Sequence, residues 1–407
     1  MKITKTPVPL YPVPRFPMRL ICVFMLCLLL LSCSLKNNKS VLSSPSDFSE
    51  TATVDPLRLR AAAIASSLDD KLLAAQILIC GIDGRGSLST LSKDLLAEYP
   101  SGGIMLFRYN LNTENDAVRA LIGETVSLII EGCDIPPFIA VDHEGGTVNR
   151  FLRGVAALPS ASSYWEIFLE EGKETALEKV RADSLSAGRE INSLGINLNF
   201  APVAEYLNDD NRDFLKNRSY GPDPSFTAEA AAAFVQSMEQ SGVLCVLKHF
   251  PGSAGADPHY SASVINGNKA ALDSLVSPFA SLIKNGARAV MAAHTVVPAV
   301  DNKIASLSAP VMRNWLRDEL KFDGIIISDD FIMGAAAGNY SSEEAAVLSV
   351  AAGSDMVLVW PGQISSTHSA FISALEDGRL SRDRLLDAVS RVIYEKLKMG
   401  LMKTEED

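Results

Sequence analysis

Beyond residue 70, short and almost uninterrupted apolar runs alternate with longer segments in which apolar positions recur every three or four residues. The runs fall at 76–80, 103–107, 138–142, 196–201, 243–248, 288–293, 324–329 and 356–360. Parallel strands covered on both faces need no polar alternation, so runs of this kind predict a buried parallel sheet. Helical spacing falls between them, at 115–131, 175–193, 227–241, 274–285, 309–319 and 343–351. Eight strand–helix repeats in one continuous stretch predict an α/β fold, a single (β/α)8 TIM barrel. The competing arrangement, an open doubly wound sheet, binds ligands at a crossover and often uses a glycine-rich phosphate loop. Gly81-Ile82-Asp83-Gly84-Arg85-Gly86 follows a strand but has Asp83 where that loop needs its second glycine.

The N-terminus has a different pattern. Residues 20–31 are continuously apolar, preceded by Lys2, Lys5, Arg15 and Arg19 and followed by Ser32, Cys33 and Ser34. The run is short for a membrane-spanning helix and suits the apolar region of an export signal, cleaved or retained as an anchor. Leu30-Leu31-Ser32-Cys33 resembles a bacterial lipoprotein signal, in which cleavage leaves a lipid-bearing cysteine. The expected organisation is a signal over 1–32, lipidated Cys33 and a Ser/Asn/Pro-rich tether over 33–55, and one catalytic domain over 56–407. Met18 offers an alternative start. The expected product is an exported, membrane-anchored protein whose domain is soluble and monomeric.

The chain has 407 residues, 47% of them hydrophobic and 21% charged, which suits a large buried core rather than disorder. Its net charge is -11. Loss of the signal removes four of the 37 basic residues and no acidic one, leaving 33 against 48, or -15. That balance argues against a nucleic-acid partner. Six cysteines are too few for a disulfide-built scaffold. Cys80, Cys133 and Cys245 lie in or beside apolar runs and read as buried thiols.

Polar residues concentrate where the strands end, the position of catalytic groups in a barrel. The third strand runs into Asp142-His143-Glu144-Gly145-Gly146, the fifth into Lys248-His249-Phe250-Pro251-Gly252, the sixth into His294 and the seventh into Ser328-Asp329-Asp330. A carboxylate delivered to the rim, as Asp329 is, can attack an anomeric carbon or stabilise an oxocarbenium-like centre, or it can cap the next helix; Asp330 is the better cap. Asp257 and His259 share a loop and read as an imidazole supported by a carboxylate, or as a surface pair. Asp142, Arg150, Arg218, Lys248 and His249 can form a polar cradle for a ligand rich in hydroxyls, although the arginines could also serve only to anchor loops. No compact ligand spacing suggests a metal, and no cofactor is expected.

These motifs, with Gly103-Ile104-Met105-Leu106-Phe107, Asn199-Phe200-Ala201-Pro202-Val203 and Arg218-Ser219-Tyr220-Gly221, resemble the family 3 glycoside hydrolases, in particular their single-domain bacterial β-N-acetylhexosaminidases, over about residues 70–400. The resemblance implies that Asp329 is the nucleophile of a retaining reaction and His259 the general acid/base, assisted by Asp257. It also implies that Asp142, Arg150, Arg218, Lys248 and His249 bind the sugar. The implied activity is release of terminal N-acetylglucosamine from cell-wall muropeptides or chitooligosaccharides. The chain departs from the family at His143 and Thr147, where Gln and Arg are common. The family's typical Pro-Gly-His-Gly becomes Pro251-Gly252-Ser253-Ala254-Gly255, and the segment from Lys248 to Asp257 is about two residues short. Alternative readings are a β-glucosidase, a phosphorolytic enzyme using the same pocket, or a non-catalytic, lipid-anchored glycan-binding protein.

Overall fold

The computed structural model describes residues 55–255, 263–332 and 340–402. Twelve strands are present among them: β1 (Leu78–Gly81), β2 (Gly103–Leu106), β3 (Phe138–Val141), β4 (Leu198–Asn199), β5 (Leu244–Cys245), β6 (Leu247–Phe250), β7 (Ser263–Val264), β8 (Ala289–Ala292), β9 (Thr295–Val297), β10 (Asp301–Ile304), β11 (Ile325–Ser328) and β12 (Val357–Val359). Every apolar run of the sequence yields a strand, and β5 and β6 divide one run at Val246. The strands are shorter than the runs. Gln76, expected in the first strand, instead ends the helix Asp70–Gln76.

Parallel pairing gives a six-stranded sheet in the order β12-β1-β2-β3-β4-β5 and a three-stranded sheet in the order β11-β8-β6. Isolated parallel bridges join Val203 to Lys248 and Ile327 to Met356. The result is an α/β fold of alternating helices and parallel strands, barrel-like in its order. Alternation along each strand explains why the runs are apolar throughout. Ile79, Met105, Ala140, Met291, Ile325 and Ile327 belong to one core cluster on one face of the strands. Their neighbours Leu78, Cys80, Ile104, Ile139, Val290 and Ile326 pack outward into the core beneath the helices. With a period of two, a strand buried on both faces needs an apolar residue at every position.

The helices follow local rules. Pro224–Gln240 starts three residues before the expected 227 because Asp223 caps it, its carboxylate accepting from Ser225 N at 2.8 Å, and Pro224 fills the first turn. The helix expected over 274–285 is split into Lys269–Leu275 and Ser277–Lys284, with Pro278 at the start of the second. The segment expected over 309–319 forms a π-helix, Pro310–Glu319, closed by Leu320 N donating to Trp315 O at 2.9 Å. An additional sheet, β10-β9-β7, was not expected. Among the described residues no helix is long and apolar enough to cross a membrane.

Charged pairs secure the end of the sheet opposite the strand C-termini. Asp355, fully buried just before β12, is paired with Arg317 and with Arg384, the latter at 2.8 Å. Its carboxylate also accepts from Ile326 N at 2.8 Å, so one side chain joins β11 to the start of β12.

Candidate active site

A cavity of about 500 Å³ opens at the C-terminal ends of the strands, and Asp142, Arg150, Arg218, Lys248, His249 and Asp329 all line it. The strand ends place them. Asp142 follows β3, Lys248 and His249 lie within β6, and Asp329 follows β11. Arg218 ends the 3₁₀ turn Lys216–Arg218. Arg150 arrives by a tight turn after β3, in which Gly145 (φ 93°) and Gly146 (φ 53°) take left-handed backbone. A Cβ on Gly145 would lie 2.2 Å from Pro159 O, so the turn admits no side chain there.

Lys248 is the centre of the cluster. Its buried ammonium lies 2.7 Å from Asp142 Oδ1 and 2.6 Å from Glu144 Oε1. Arg150 Nη2 donates to Asp142 Oδ2 at 2.7 Å. Arg218 grips Glu144 with both branches of its fork, Nε at 2.8 Å from Oε2 and Nη2 at 2.9 Å from Oε1. Such bidentate geometry holds the guanidinium in one plane, which also rests over the Phe214 ring at 5.4 Å. Burial alone would raise the pKa of each carboxyl. Lys248 and Arg150 outweigh it at Asp142, which is held well below the usual range, and Lys248 and Arg218 bring Glu144 down to about 2. Burial acts against the charged Lys248, but Asp142 and Glu144 raise its pKa above the ordinary lysine value.

Glu205, buried after β4, lies behind the polar wall and supports it. Its Oε1 accepts from His249 N at 3.1 Å and lies 2.8 Å from His249 Nδ1, while Ser253 Oγ donates to Oε2 at 2.6 Å. Part of the cavity lining is aromatic. Trp360 stacks on Phe107 with centroids 4.6 Å apart and planes 14° from parallel. Its indole N–H donates to Asp330 Oδ2 at 2.5 Å. Asp330 also accepts from Ile332 N at 2.9 Å, so it stabilises the turn after β11, while Asp329 Oδ1 accepts from Asp330 N at 2.8 Å and its side chain lines the cavity. Burial raises the pKa of Asp330.

Asp257 and His259 lie outside the described residues, as do Cys33 and the expected signal and tether up to residue 54. His294 is buried and bonded to Ser306 Oγ at 2.8 Å and to Asp330 O at 2.9 Å, away from the cavity lining. His143 and Thr147 do not line the cavity either. His143 is buried edge-on to Phe151 at 5.2 Å, and burial lowers its pKa to about 4. Thr147 Oγ1 lies 3.1 Å from Asn217 Oδ1. Among the described residues no group of three His, Cys, Asp or Glu side chains could hold a metal ion.

Glu144, Glu205, Phe107, Phe214 and Trp360 were not singled out as functional from the sequence. Glu144 and Trp360 did carry a signal, since Glu144 closely follows the predicted strand 138–142 and Trp360 is the last residue of the run 356–360. Glu205 carried a weaker one: it follows the apolar stretch that continues the run 196–201, and it meets His249 only through the fold.

Residues 68–394 match the glycosyl hydrolase family 3 N terminal domain. A beta-hexosaminidase of Idiomarina loihiensis is 32% identical over 320 residues, covering 76% of this chain and 93% of that protein. A family 3 beta-N-acetylglucosaminidase of Paenibacillus sp. str. FPU-7 superimposes with a TM-score of 0.78 at 30% identity, over 84% of this chain and 66% of the other. The beta-N-acetylhexosaminidase of Beutenbergia cavernae gives 0.72 at 26% identity, over 81% and 98%.

Glu144→Gln removes one of the two charges that balance buried Lys248 and Arg218. It is expected to destabilise the folded protein at pH 7 by about 3 kcal/mol in denaturant unfolding. The carboxyl is depressed from 4.5 to about 2, so its contribution is full above pH 4.5 and drains as pH falls through 2. The gap between wild type and variant should therefore close over that interval; a gap that stays constant there contradicts the assignment. The match over residues 68–394, together with these relatives, shows that the chain is an enzyme of glycosyl hydrolase family 3.

Proposed function

We propose that the protein is a retaining exo-β-N-acetylglucosaminidase, a β-N-acetylhexosaminidase that releases terminal N-acetylglucosamine from cell-wall muropeptides or chitooligosaccharides. The observation that carries this reading is the pairing of charges in the cradle. Arg150, Arg218 and Lys248, the cations lining the cavity, are each matched by Asp142 or Glu144. Fixed donors and acceptors with little net charge suit the hydroxyls of a neutral sugar and give no advantage to a phosphate dianion. The aromatic wall of Trp360 and Phe107 offers apolar surface to the C–H groups of a pyranose. The relatives described as beta-hexosaminidases and beta-N-acetylglucosaminidases support the choice of sugar.

In this reading Asp329 attacks the anomeric carbon while His259, supported by Asp257, protonates the departing oxygen. The glycosyl-aspartate ester is then opened by water, which gives up its proton to His259, and the sugar leaves with its configuration retained. A ring closed as a full (β/α)8 barrel belongs to the same reading, supported by the parallel bridges Val203–Lys248 and Ile327–Met356 that link the two sheets. Release of 4-nitrophenol from its N-acetyl-β-D-glucosaminide, beside the matching glucoside, tests the activity. Selective release, lowered roughly a thousandfold or more by Asp329→Ala in a folded protein, is expected. Turnover near wild type in that variant would remove Asp329 from the mechanism.

The apolar run at 20–31 before Cys33 supports export and lipid anchoring to the cell membrane or outer membrane. An alkyne fatty acid fed to a bacterial host should label the wild-type chain and not Cys33→Ser, with the variant leaving the membrane fraction. An unlabelled wild-type chain would overturn the anchor.

A further inference from the structure

We propose that Glu205 is a positioning residue of the sugar site: it fixes a proton on His249 Nδ1, which leaves Nε2 as the acceptor for Arg218 and holds the two cavity-lining side chains as one unit. The donor–acceptor inventory around the ring leads to this assignment. Burial works against the charged form of Glu205, but the hydrogen bonds from His249 and Ser253 outweigh it and lower its pKa. A carboxylate only accepts, so the 2.8 Å contact between its Oε1 and His249 Nδ1 requires the proton on Nδ1. The backbone N–H of His249 donates to the same oxygen at 3.1 Å, fixing the ring relative to the strand that carries it.

The other side of the ring sets the second half of the argument. Arg218 Nη2 lies 3.4 Å from His249 Nε2, and a guanidinium has only donors. A proton on Nε2 would point N–H at N–H and place a second positive charge beside Arg218. The neutral Nδ1–H tautomer avoids both. Arg218 cannot turn away, because Glu144 holds it bidentately. Arg218 Nη2 therefore donates to Glu144 and to His249 Nε2, which locks the two cavity-lining side chains to one another. Glu205 is itself absent from the cavity lining and acts through the imidazole. The positioning role rests on the proposed sugar substrate, whereas the tautomer does not.

The test reads the imidazole directly. The full chain is labelled with ¹⁵N-histidine and its ring nitrogen–proton correlations are recorded near neutral pH. The five histidines keep the spectrum assignable, and loss of one set in His249→Asn identifies His249. A neutral ring protonated at Nδ1 is expected. Glu205→Met, of similar length with no acceptor, should release that tautomer and lower kcat/KM on the aryl N-acetylglucosaminide by about tenfold or more. Glu205→Gln should restore both, since its amide still offers an oxygen to His249 and an N–H to the Ser253 hydroxyl. A wild-type His249 protonated at Nε2, or a tautomer unchanged in Glu205→Met, overturns the proposal. If Glu205→Met does not fold, the wild-type tautomer and the Glu205→Gln variant decide. A wild-type protein with the expected tautomer but no glycosidase activity would sink the sugar reading and leave the control of the ring by Glu205 standing.

Discussion

The site is organised around a lysine ammonium that has almost no access to water. Removing the Lys248 charge from solvent is costly, and the cost is met only because Asp142 and Glu144 approach it together within 2.7 Å. Those two carboxylates would be equally costly if left with Lys248 alone, so Arg150 and Arg218 complete the balance from two further loops. Each charge thus fixes the position of its neighbour. The rigid, nearly neutral surface that results is one on which a polyol can exchange its water for protein hydrogen bonds without leaving a charge exposed.

This cluster depends on strands far apart in sequence. Asp142 and Lys248 are separated by 106 residues, and their contact exists because β3 and β6 end on the same side of a parallel arrangement. The two faces of the domain divide the work. At the strand N-termini, Asp355 joins Arg317, Arg384 and the backbone of β11 in a buried network. At the strand C-termini the polar residues surround open space instead. The aromatic pair Trp360 and Phe107 also lines that space, with Asp330 keeping the indole in place.

Much of this was legible in the sequence because the physics is local there. Strands buried on both faces produce unbroken apolar runs, and a polar residue at the end of such a run stands out. For that reason Asp142, Lys248, His249 and Asp329 could be named, while Arg150 and Arg218 entered through neighbouring motifs. Glu205 does not stand out in this way, because it lies four residues beyond the run placed at 196–201, and its contact with His249, 44 residues distant, exists only in the fold. The short strands β9 and β10 carry too few residues for a period to emerge. The π-helical pitch of Pro310–Glu319 is likewise invisible to a search for 3.6-residue spacing, although the segment itself was recognised.

The most direct measurement of the central claim, that the cradle seats a sugar with its anomeric carbon on Asp329, is peptide mapping by mass spectrometry. The protein would be quenched during reaction with a slow fluorinated N-acetylglucosaminyl fluoride. A glycosyl ester on Asp329 is the predicted result. A stable adduct on another residue, or turnover of the same compound with Asp329 always unmodified, would contradict the account.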